Sequence, residues 1–349
     1  MEKVSILAIT KNGINIGTKL HEIFPSWNLF APSKFSDSRQ INWYDEPTSK
    51  KIIQLFKNNN AIICIFSLGA VIRLIAPYLK DKKTDPAVIV IDDKANFVIS
   101  VLSGHLGGAN ELTNIIAEKL NAVPIVTTAA DVNKTIAVDL LGKNFGWKIE
   151  DDVNVTKVSA YMVNEEKIGV FQDAGEVNWY EKLPSNVRVY KSLEELKNSD
   201  SKGFLIISDK KISEDFLKDA VIYRPPTLVV GIGLHWDTSK NTIEDGIKKT
   251  LMKFNLSPKS IVKLASIKKP KEVQGLIDIG EEMRIPVEYV DRDELAKINA
   301  PNPSEKVNSY EGTSSVSEAA AIKVSKGVLV VEKQKFPPDL TIAVARITH

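Results

Sequence analysis

One histidine and three glycines fall within five consecutive residues, positions 104 to 108. Gly104, Gly107 and Gly108 lack a Cβ atom, so a ligand can approach the backbone closely. His105 can accept or release a proton near neutral pH. This spacing indicates a loop that could bind an anion and move a proton. The alternative interpretation is a glycine turn that only lets a helix pack close to a sheet.

The elements on either side of this loop would position it at the edge of a sheet. The apolar run Phe97–Leu102 is typical of a strand buried on both faces. Leu112, Ile116 and Leu120 then recur at helical spacing. The N–H groups at a helix start are unpaired and carry partial positive charge, so the junction is a potential anion site.

The first part of the chain predicts an α/β domain with a mainly parallel sheet. Apolar strands at 4–9, 61–66 and 88–92 alternate with helical segments, and Asp92-Asp93 predicts a hairpin turn into Phe97–Leu102. Ligands of open parallel sheets bind at the carboxyl ends of the strands. We therefore expect the loops 67–73, 103–110 and 127–131 to share one edge, with Arg73 as an anion contact.

The whole chain is predicted to hold two mainly parallel-sheet α/β domains with a small intervening α/β insert. The 349 residues are too many for one small domain. Paired prolines at Pro225-Pro226 mark a boundary. The predicted divisions are an N-terminal domain at 1–143, a middle insert or lid at 144–226, and a C-terminal domain at 227–349.

Composition argues against several classes of protein. The 46 basic and 44 acidic residues give a formal charge of +2, so no extended nucleic-acid surface is expected. No apolar stretch approaches the ~20 residues that span a bilayer, and no signal-peptide pattern is visible, so no membrane partner is expected. The single cysteine, Cys64, is predicted to be a buried core residue of a strand, and a chain with one cysteine suits a reducing compartment. The predicted location is cytoplasmic.

Known nucleotide, metal and nucleophile motifs are missing. Gly231-Ile232-Gly233 is half of a dinucleotide fingerprint, but Trp236 occupies the position of the third glycine. No Walker loop and no Gly-x-Ser-x-Gly elbow occurs. The histidines are scattered without metal-ligand spacing, at positions 21, 105, 235 and 349. Ser103 could be a nucleophile, although a hydrogen-bonding or capping role is the preferred interpretation, and His235 is interpreted as a rim residue.

Several motifs, in the same order along most of the chain, resemble the cobalt-precorrin-5A hydrolase family, the CbiG type of anaerobic cobalamin biosynthesis. The weakest part of this resemblance lies between about 145 and 225, and one departure is Leu234-His235-Trp236, where the family continues with a cysteine and basic residues. The motifs that carry the resemblance are Gly69–Arg73, Asp81–Val88, Leu102–Leu112, Thr127–Asp131, Gly231–Gly233, Leu264–Lys269, Val316–Ala321 and Thr341–Arg346.

This resemblance implies opening of the δ-lactone of cobalt-precorrin-5A and release of acetaldehyde, giving cobalt-precorrin-5B. His105 is predicted to be the base, with Ser103 and Asp131 in the catalytic set, and amides from Gly107 to Asn110 as the oxyanion site. No cofactor and no protein metal ligand are expected, because cobalt arrives in the corrinoid substrate. A homodimer is compatible with this interpretation. The predicted substrate-binding residues are Gly104, Gly107, Gly108, Asn110, Arg73, Thr127, Thr128, Gly231, Gly233 and Lys268, the last together with Lys269.

Two other functions stay open from the sequence. The first is a non-catalytic carrier or regulator that binds an anionic tetrapyrrole and releases no acetaldehyde. The second is a nucleotide-dependent oxidoreductase, which Trp236 makes less favourable. Acetaldehyde release tests the first alternative, and titration with a nicotinamide cofactor tests the second.

Overall fold

Contacts within the chain cluster into two units, Met1–Leu140 and Leu141–His349. The computed structural model describes residues 3–81, 84–180, 182–213, 218–303 and 315–348. Each unit is built from sheets with helices between the strands, which confirms the predicted α/β class. The division into three domains stays a prediction.

The first unit contains a seven-stranded sheet of order β3-β2-β1-β4-β5-β6-β7. Strands β1 to β5 are parallel, β6 is antiparallel to β5, and β7 is parallel to β6. The strands are β1 Val4–Ala8, β2 Asn28–Pro32, β3 Asn42–Tyr44, β4 Ala61–Ile65, β5 Ala87–Ile91, β6 Phe97–Leu102 and β7 Val123–Ile125.

Alternate side chains of the central strands pack into two separate cores. Ile6 and Ile63 lie in the core beneath the first and fourth helices, whereas Leu7 and Ile62 pack against the second and third. Each fully buried side chain of this kind stabilises the fold by about 1.5 to 3 kcal/mol relative to exposure. The helices are α1 Lys11–Ile23, α2 Thr48–Asn58, α3 Leu68–Ile75, α4 Ala109–Leu120 and α5 Ala129–Val132, and 3₁₀ turns span Ser33–Phe35 and Ala76–Tyr78.

The hairpin predicted at Asp92 is confirmed, and it reverses the direction of the chain. The Asp92 carboxylate accepts the N–H groups of Phe97 at 2.6 Å and Lys94 at 3.2 Å, which closes the turn between β5 and β6. Because β6 and β7 run opposite to β4, the loop 67–73 lies at the other edge of the sheet from the loops 103–110 and 127–131. The prediction that all three loops share one edge is therefore wrong for the loop of Arg73.

Strand β6 also departs from the prediction that it is buried on both faces. Only Val98 in it is buried, and Phe97 is 44% exposed. Strand β6 lies next to the edge strand β7, which pairs with Phe97, Val98 and Ile99.

The second unit contains two five-stranded sheets, of order β10-β9-β11-β12-β8 and β15-β14-β13-β17-β16. The first is parallel except for β8, and the second combines parallel β13, β14 and β15 with the antiparallel hairpin β16–β17. The strands are β8 Lys148–Ile149, β9 Ile168–Gln172, β10 Val187–Tyr190, β11 Gly203–Ile207, β12 Ala220–Arg224, β13 Leu228–Leu234, β14 Ile261–Ile267, β15 Val287–Val290, β16 Val328–Phe336 and β17 Leu340–Arg346.

A buried ion pair joins these two sheets inside the second unit. The carboxylate of Asp209, which follows β11 and is fully buried, accepts hydrogen bonds from Arg346 Nε at 2.7 Å and Nη2 at 2.6 Å. Thr227 Oγ1 donates to the same carboxylate at 2.8 Å. The helices are α6 Val155–Val163, α7 Leu193–Lys197, α8 Lys240–Lys253, α9 Gln274–Met283, α10 Arg292–Leu295 and α11 Val316–Ser325, with 3₁₀ turns at Lys143–Phe145 and Pro258–Ser260.

Among the helices of the described residues, none combines the length and the apolar character that a membrane crossing requires.

Candidate active site

The glycine loop between β6 and α4 folds tightly on itself. Ser103 has a φ of +56° and Gly108 a φ of +79°, so the chain turns twice through the left-handed region. A Cβ atom at Gly107 would lie 2.4 Å from Ser103 Cβ and 2.7 Å from the Ser103 carbonyl oxygen. Glycine at position 107 is therefore required by the fold of the loop itself.

Most amides that were predicted to form an oxyanion site already have partners within the loop. The N–H groups of Gly108, Ala109 and Asn110 donate to the carbonyls of His105, Ser103 and Gly104, at 3.0, 3.2 and 3.0 Å respectively. The prediction is wrong for these three amides, because the loop satisfies them internally. In the described part of the chain, the N–H of Gly107 has no hydrogen-bond partner.

The imidazole of His105 lies between two carboxylates. Its Nε2 atom is 2.8 Å from Asp131 Oδ2, and its Nδ1 atom is 3.4 Å from Asp139 Oδ1. The side chains of His105, Asp131 and Asp139 are 16%, 44% and 18% exposed, so the group is partly open to solvent and is not enclosed by hydrocarbon.

This geometry distinguishes the two ring nitrogens. The 2.8 Å contact has hydrogen-bond length, so Nε2–H donates to Asp131 and the neutral imidazole carries its lone pair on Nδ1. The 3.4 Å separation from Asp139 is longer than a normal hydrogen bond. Nδ1 is thus the nitrogen that can take up a proton, and the nearby Asp139 carboxylate stabilises the resulting cation.

Asn110, predicted as a substrate contact, is buried beneath this pair with only 5% of its surface exposed. Its Nδ2 donates to Asp131 Oδ2 at 2.8 Å and Thr128 Oγ1 at 2.9 Å, and its Oδ1 accepts from Ser100 at 2.6 Å. A Cβ atom at Gly104 would lie 2.6 Å from that Oδ1. Gly104 therefore makes room for the carboxamide, and the structure gives both residues a role inside the site.

The other predicted residues of this loop region are Ser103, Thr127 and Thr128. Ser103 Oγ donates to the Asp85 carbonyl at 2.8 Å, which supports the hydrogen-bonding interpretation, and its catalytic role stays a prediction. The Thr128 carbonyl accepts the N–H of Asp131 at 3.0 Å in the first turn of α5. Thr127 is exposed, and its contact with substrate stays a prediction.

Arg73 is not brought to this group. It is exposed on α3, and its Nη1 donates to the Gly69 carbonyl in its own helix at 3.3 Å. The antiparallel β5–β6 pairing places α3 and the histidine loop at opposite edges of the sheet. Its role as an anion contact stays a prediction.

In the second unit, Gly231 and Gly233 bring α11 close to β13. A Cβ atom at Gly231 would lie 1.9 Å from the Ser317 carbonyl oxygen, and one at Gly233 would lie 2.5 Å from Thr341 Oγ1. Gly231 is buried, so packing against the helix explains it and a substrate contact is not supported. Gly233 is half-buried, and its substrate role stays a prediction.

The predicted basic residues of this unit lie on its surface. Lys268 is 68% exposed and its Nζ is 3.5 Å from Asp291, while Lys269 Nζ lies 5.5 Å from the centre of the Trp236 ring. His235 is exposed, with Nδ1 3.1 Å from Asp237, and its interpretation as a rim residue stays a prediction. His349 lies outside the described residues.

Sequence reasoning missed Asp139. It lies in the stretch 135–140, which has neither a helix nor a strand, so no periodic pattern draws attention to it. The available signal is a carboxylate between the apolar residues Val138 and Leu140, eight residues after Asp131. Ser100, inside β6, was missed because a serine in a predicted buried strand is interpreted as a small packing residue.

Within the described ranges, no group of three or more His, Cys, Asp or Glu side chains is arranged to hold a metal ion. Cys64 is fully buried in β4, as predicted, and burial raises the pKa of its thiol.

Comparison with known proteins matches three successive parts of the chain to protein families. The sequence matches the families described as "Cobalamin synthesis G N-terminal" over residues 50–131, "Cobalamin biosynthesis central region" over 136–225 and "Cobalamin synthesis G C-terminus" over 228–345. A cobalt-precorrin-5A hydrolase of Priestia megaterium is 41% identical over 99% of this chain and 95% of that protein. One of Salmonella typhimurium is 29% identical over 95% and 94%. A solved cobalamin biosynthesis protein G homolog from Sulfolobus solfataricus covers 99% of this chain and 98% of that chain, at 24% identity and a TM-score of 0.40.

Proposed function

The chain belongs to the cobalamin synthesis G (CbiG) family, and from that premise we propose that it is a cobalt-precorrin-5A hydrolase of cobalamin biosynthesis. It opens the δ-lactone of its substrate and releases acetaldehyde, giving cobalt-precorrin-5B. Identity of 41% to a hydrolase of that name, over nearly the full length of both chains, supports the enzyme over a non-catalytic carrier. The observation that carries the mechanism is the His105 imidazole held between Asp131 and Asp139.

In the first step, His105 acts as the general base for attack of water on the lactone carbonyl. The water oxygen bonds to the carbonyl carbon while His105 Nδ1 takes its proton, because Nε2 is committed to Asp131. The carbon–oxygen bond of the ring then breaks, and the imidazolium returns the proton to the departing alkoxide. Water is thereby divided between a carboxylic acid and a hydroxyl group.

Negative charge builds on the carbonyl oxygen during this attack. A preorganised N–H donor lowers the free energy of such a transition state. With the amides of Gly108, Ala109 and Asn110 used inside the loop, the N–H of Gly107 is the donor of this segment that we assign to that oxygen.

In the second step, the released hydroxyl group loses its proton and the adjacent carbon–carbon bond breaks. The oxygen forms the carbonyl of acetaldehyde, and the electron pair of the broken bond passes to the macrocycle, which takes up a proton. His105 with its two carboxylates can accept the hydroxyl proton, as it does that of water. The atoms balance: one water is consumed and one acetaldehyde is released.

The partners follow from this chemistry and are part of the proposal. The macrocycle carries the cobalt as substrate, and the protein needs no cofactor, nucleic acid or membrane for the reaction. Lys268 with Lys269 is a proposed contact for peripheral carboxylates, since cations suit such groups. Arg73 is left out of this set, because it lies at the opposite edge of the sheet from His105. The proposed location is the cytoplasm, and a homodimer is compatible with it.

The experiment is incubation of the purified protein with cobalt-precorrin-5A, with acetaldehyde trapped by alcohol dehydrogenase and NADH. Acetaldehyde formed in one-to-one yield with the corrinoid product supports the enzyme. Corrinoid binding without acetaldehyde would indicate a carrier. A parallel fluorescence titration with nicotinamide cofactors tests the alternative function of an oxidoreductase. The absence of a saturable fluorescence change would leave that alternative without support.

A further inference from the structure

Asn110 is a buried polar side chain whose carboxamide makes three hydrogen bonds to other side chains. It is 5% exposed, its Oδ1 accepts from Ser100 at 2.6 Å, and its Nδ2 donates both to Thr128 and to Asp131. Both N–H donors of the carboxamide are used, and its oxygen, which could accept two hydrogen bonds, accepts one. A buried amide whose two N–H donors both bind side chains of the protein is better explained by what it holds in place.

We propose that Asn110 is a positioning residue that fixes Asp131, and through Asp131 the protonation of His105 at Nε2. The inference rests on the proposed function for its catalytic consequence. Asp131 Oδ2 is the shared acceptor, at 2.8 Å from both Asn110 Nδ2 and His105 Nε2. The direction of the carboxamide is set by the Ser100 hydroxyl, which donates to Oδ1 and so turns the NH₂ group toward Asp131.

The elements that carry these residues explain why such an anchor is needed. Asp131 lies on α5, a helix of four residues, and its side chain is 44% exposed. A helix of one turn has little stability of its own. Asn110 lies on α4, which has twelve residues and packs into the core through Ile116. The Asn110 carboxamide therefore links the short helix α5, which has little stability of its own, to the longer helix α4, which packs into the core.

Kinetics of the variants Asn110→Asp and Asn110→Ala test this role. For both at neutral pH, we expect kcat to fall about 10- to 100-fold with KM unchanged, as is typical when a residue that supports a catalytic group is lost. In Asn110→Asp, two carboxylates face each other beside His105 and Asp139. At acid pH one proton shared between these two carboxylates restores a hydrogen bond to Asp131. The ratio of the variant's kcat to the wild-type kcat should therefore rise as the pH falls from 8 to 5. Asn110→Ala has no group that can form this bond, so its ratio should stay low. A raised KM with unchanged kcat, or the same loss at both pH values in Asn110→Asp, would overturn the proposal.

A second measurement needs no turnover. Selective ¹⁵N-histidine labelling reports the imidazole tautomer of each of the four histidines. Wild type should show His105 protonated at Nε2, and Asn110→Ala a mixture of tautomers, with His21 and His235 unchanged as internal controls. An unchanged His105 tautomer in a folded Asn110→Ala variant would refute the positioning role. If wild type releases no acetaldehyde but the tautomer shifts, the proposed function fails while the positioning role stands.

Discussion

The Nδ1 atom of His105 lies 3.4 Å from the Oδ1 atom of Asp139, on the opposite side of the ring from Asp131. This relationship gives the two carboxylates different tasks. Asp131 is close enough to accept Nε2–H and fix the tautomer, whereas Asp139 faces the nitrogen that gains the proton. The attraction between that new charge and Asp139 exists only after proton uptake, which is the condition for accelerating the step.

Replacing Asp139 by asparagine should therefore lower kcat and leave substrate affinity intact. The amide keeps the shape but removes the charge that stabilises the imidazolium, and we expect a loss of about 10- to 100-fold. Steady-state acetaldehyde release measures it. Asp237→Asn is the matched control, since Asp237 lies 3.1 Å from the exposed His235, and wild-type kcat is expected there. An Asp139→Asn variant as fast as wild type would remove Asp139 from the mechanism.

The close approach of β13 and α11 predicts that Gly231→Ala destabilises the protein. The added methyl group would lie 1.9 Å from the Ser317 carbonyl oxygen, so the helix must shift, at a cost of about 1 to 3 kcal/mol. Denaturant unfolding monitored by circular dichroism measures the change. Gly69→Ala is the control, because its methyl group would meet only the flexible Arg73 side chain, at 3.4 Å, and alanine favours a helix. Equal stability of the two variants would contradict the packing role.

Loss of the buried carboxylate of Asp209 should destabilise the second unit. In Asp209→Ala the arginine at 346 loses both hydrogen bonds and Thr227 loses its acceptor, which predicts a cost of about 3 to 5 kcal/mol in the free energy of unfolding. Asp200→Ala removes an exposed partner of Lys167 and should leave the unfolding transition unchanged. Similar unfolding curves for the two variants would show that the buried pair contributes little.

The thiol of Cys64 should resist alkylation in the folded protein even at alkaline pH. Burial in β4 raises its pKa, so the reactive thiolate does not form while the fold is intact. The unfolded chain ionises near the ordinary value of 9.0, so this thiol favours unfolding increasingly as the pH rises above 9.0. Iodoacetamide labelling at pH 9, with and without denaturant, checks this. Rapid labelling without denaturant would contradict the burial.

The α/β class followed from the sequence because buried strands and amphipathic helices have different apolar periods. The edge of the seven-stranded sheet at which each loop lies depends on the turn between β5 and β6. The Asp92 hairpin reverses the chain, so Arg73 and His105 belong to opposite edges although each follows a strand. The turn residues were recognisable, and a hairpin by itself makes β6 antiparallel to β5. The prediction of one shared edge did not take this reversal into account.

The candidate site was predictable only where chemistry and local pattern coincided. His105 and Asp131 lie in segments that follow the parallel neighbouring strands β6 and β7, so their contact could be expected. Asp139 lies outside any periodic element, and its contact depends on how the chain returns after α5. Glycines were the weakest signal, because the sequence cannot distinguish backbone exposed to a ligand from backbone pressed against a helix, as at Gly231.

The most direct measurement is single-turnover release of acetaldehyde from cobalt-precorrin-5A by His105→Gln, compared with His235→Gln. Glutamine keeps polar contacts but cannot shuttle the proton, so the His105 variant should be slower by about 10²- to 10⁴-fold while remaining folded. His235 carries the same kind of aspartate partner on the surface, and its variant should match wild type. Wild-type release by His105→Gln would contradict the assignment of the proton transfer to this imidazole.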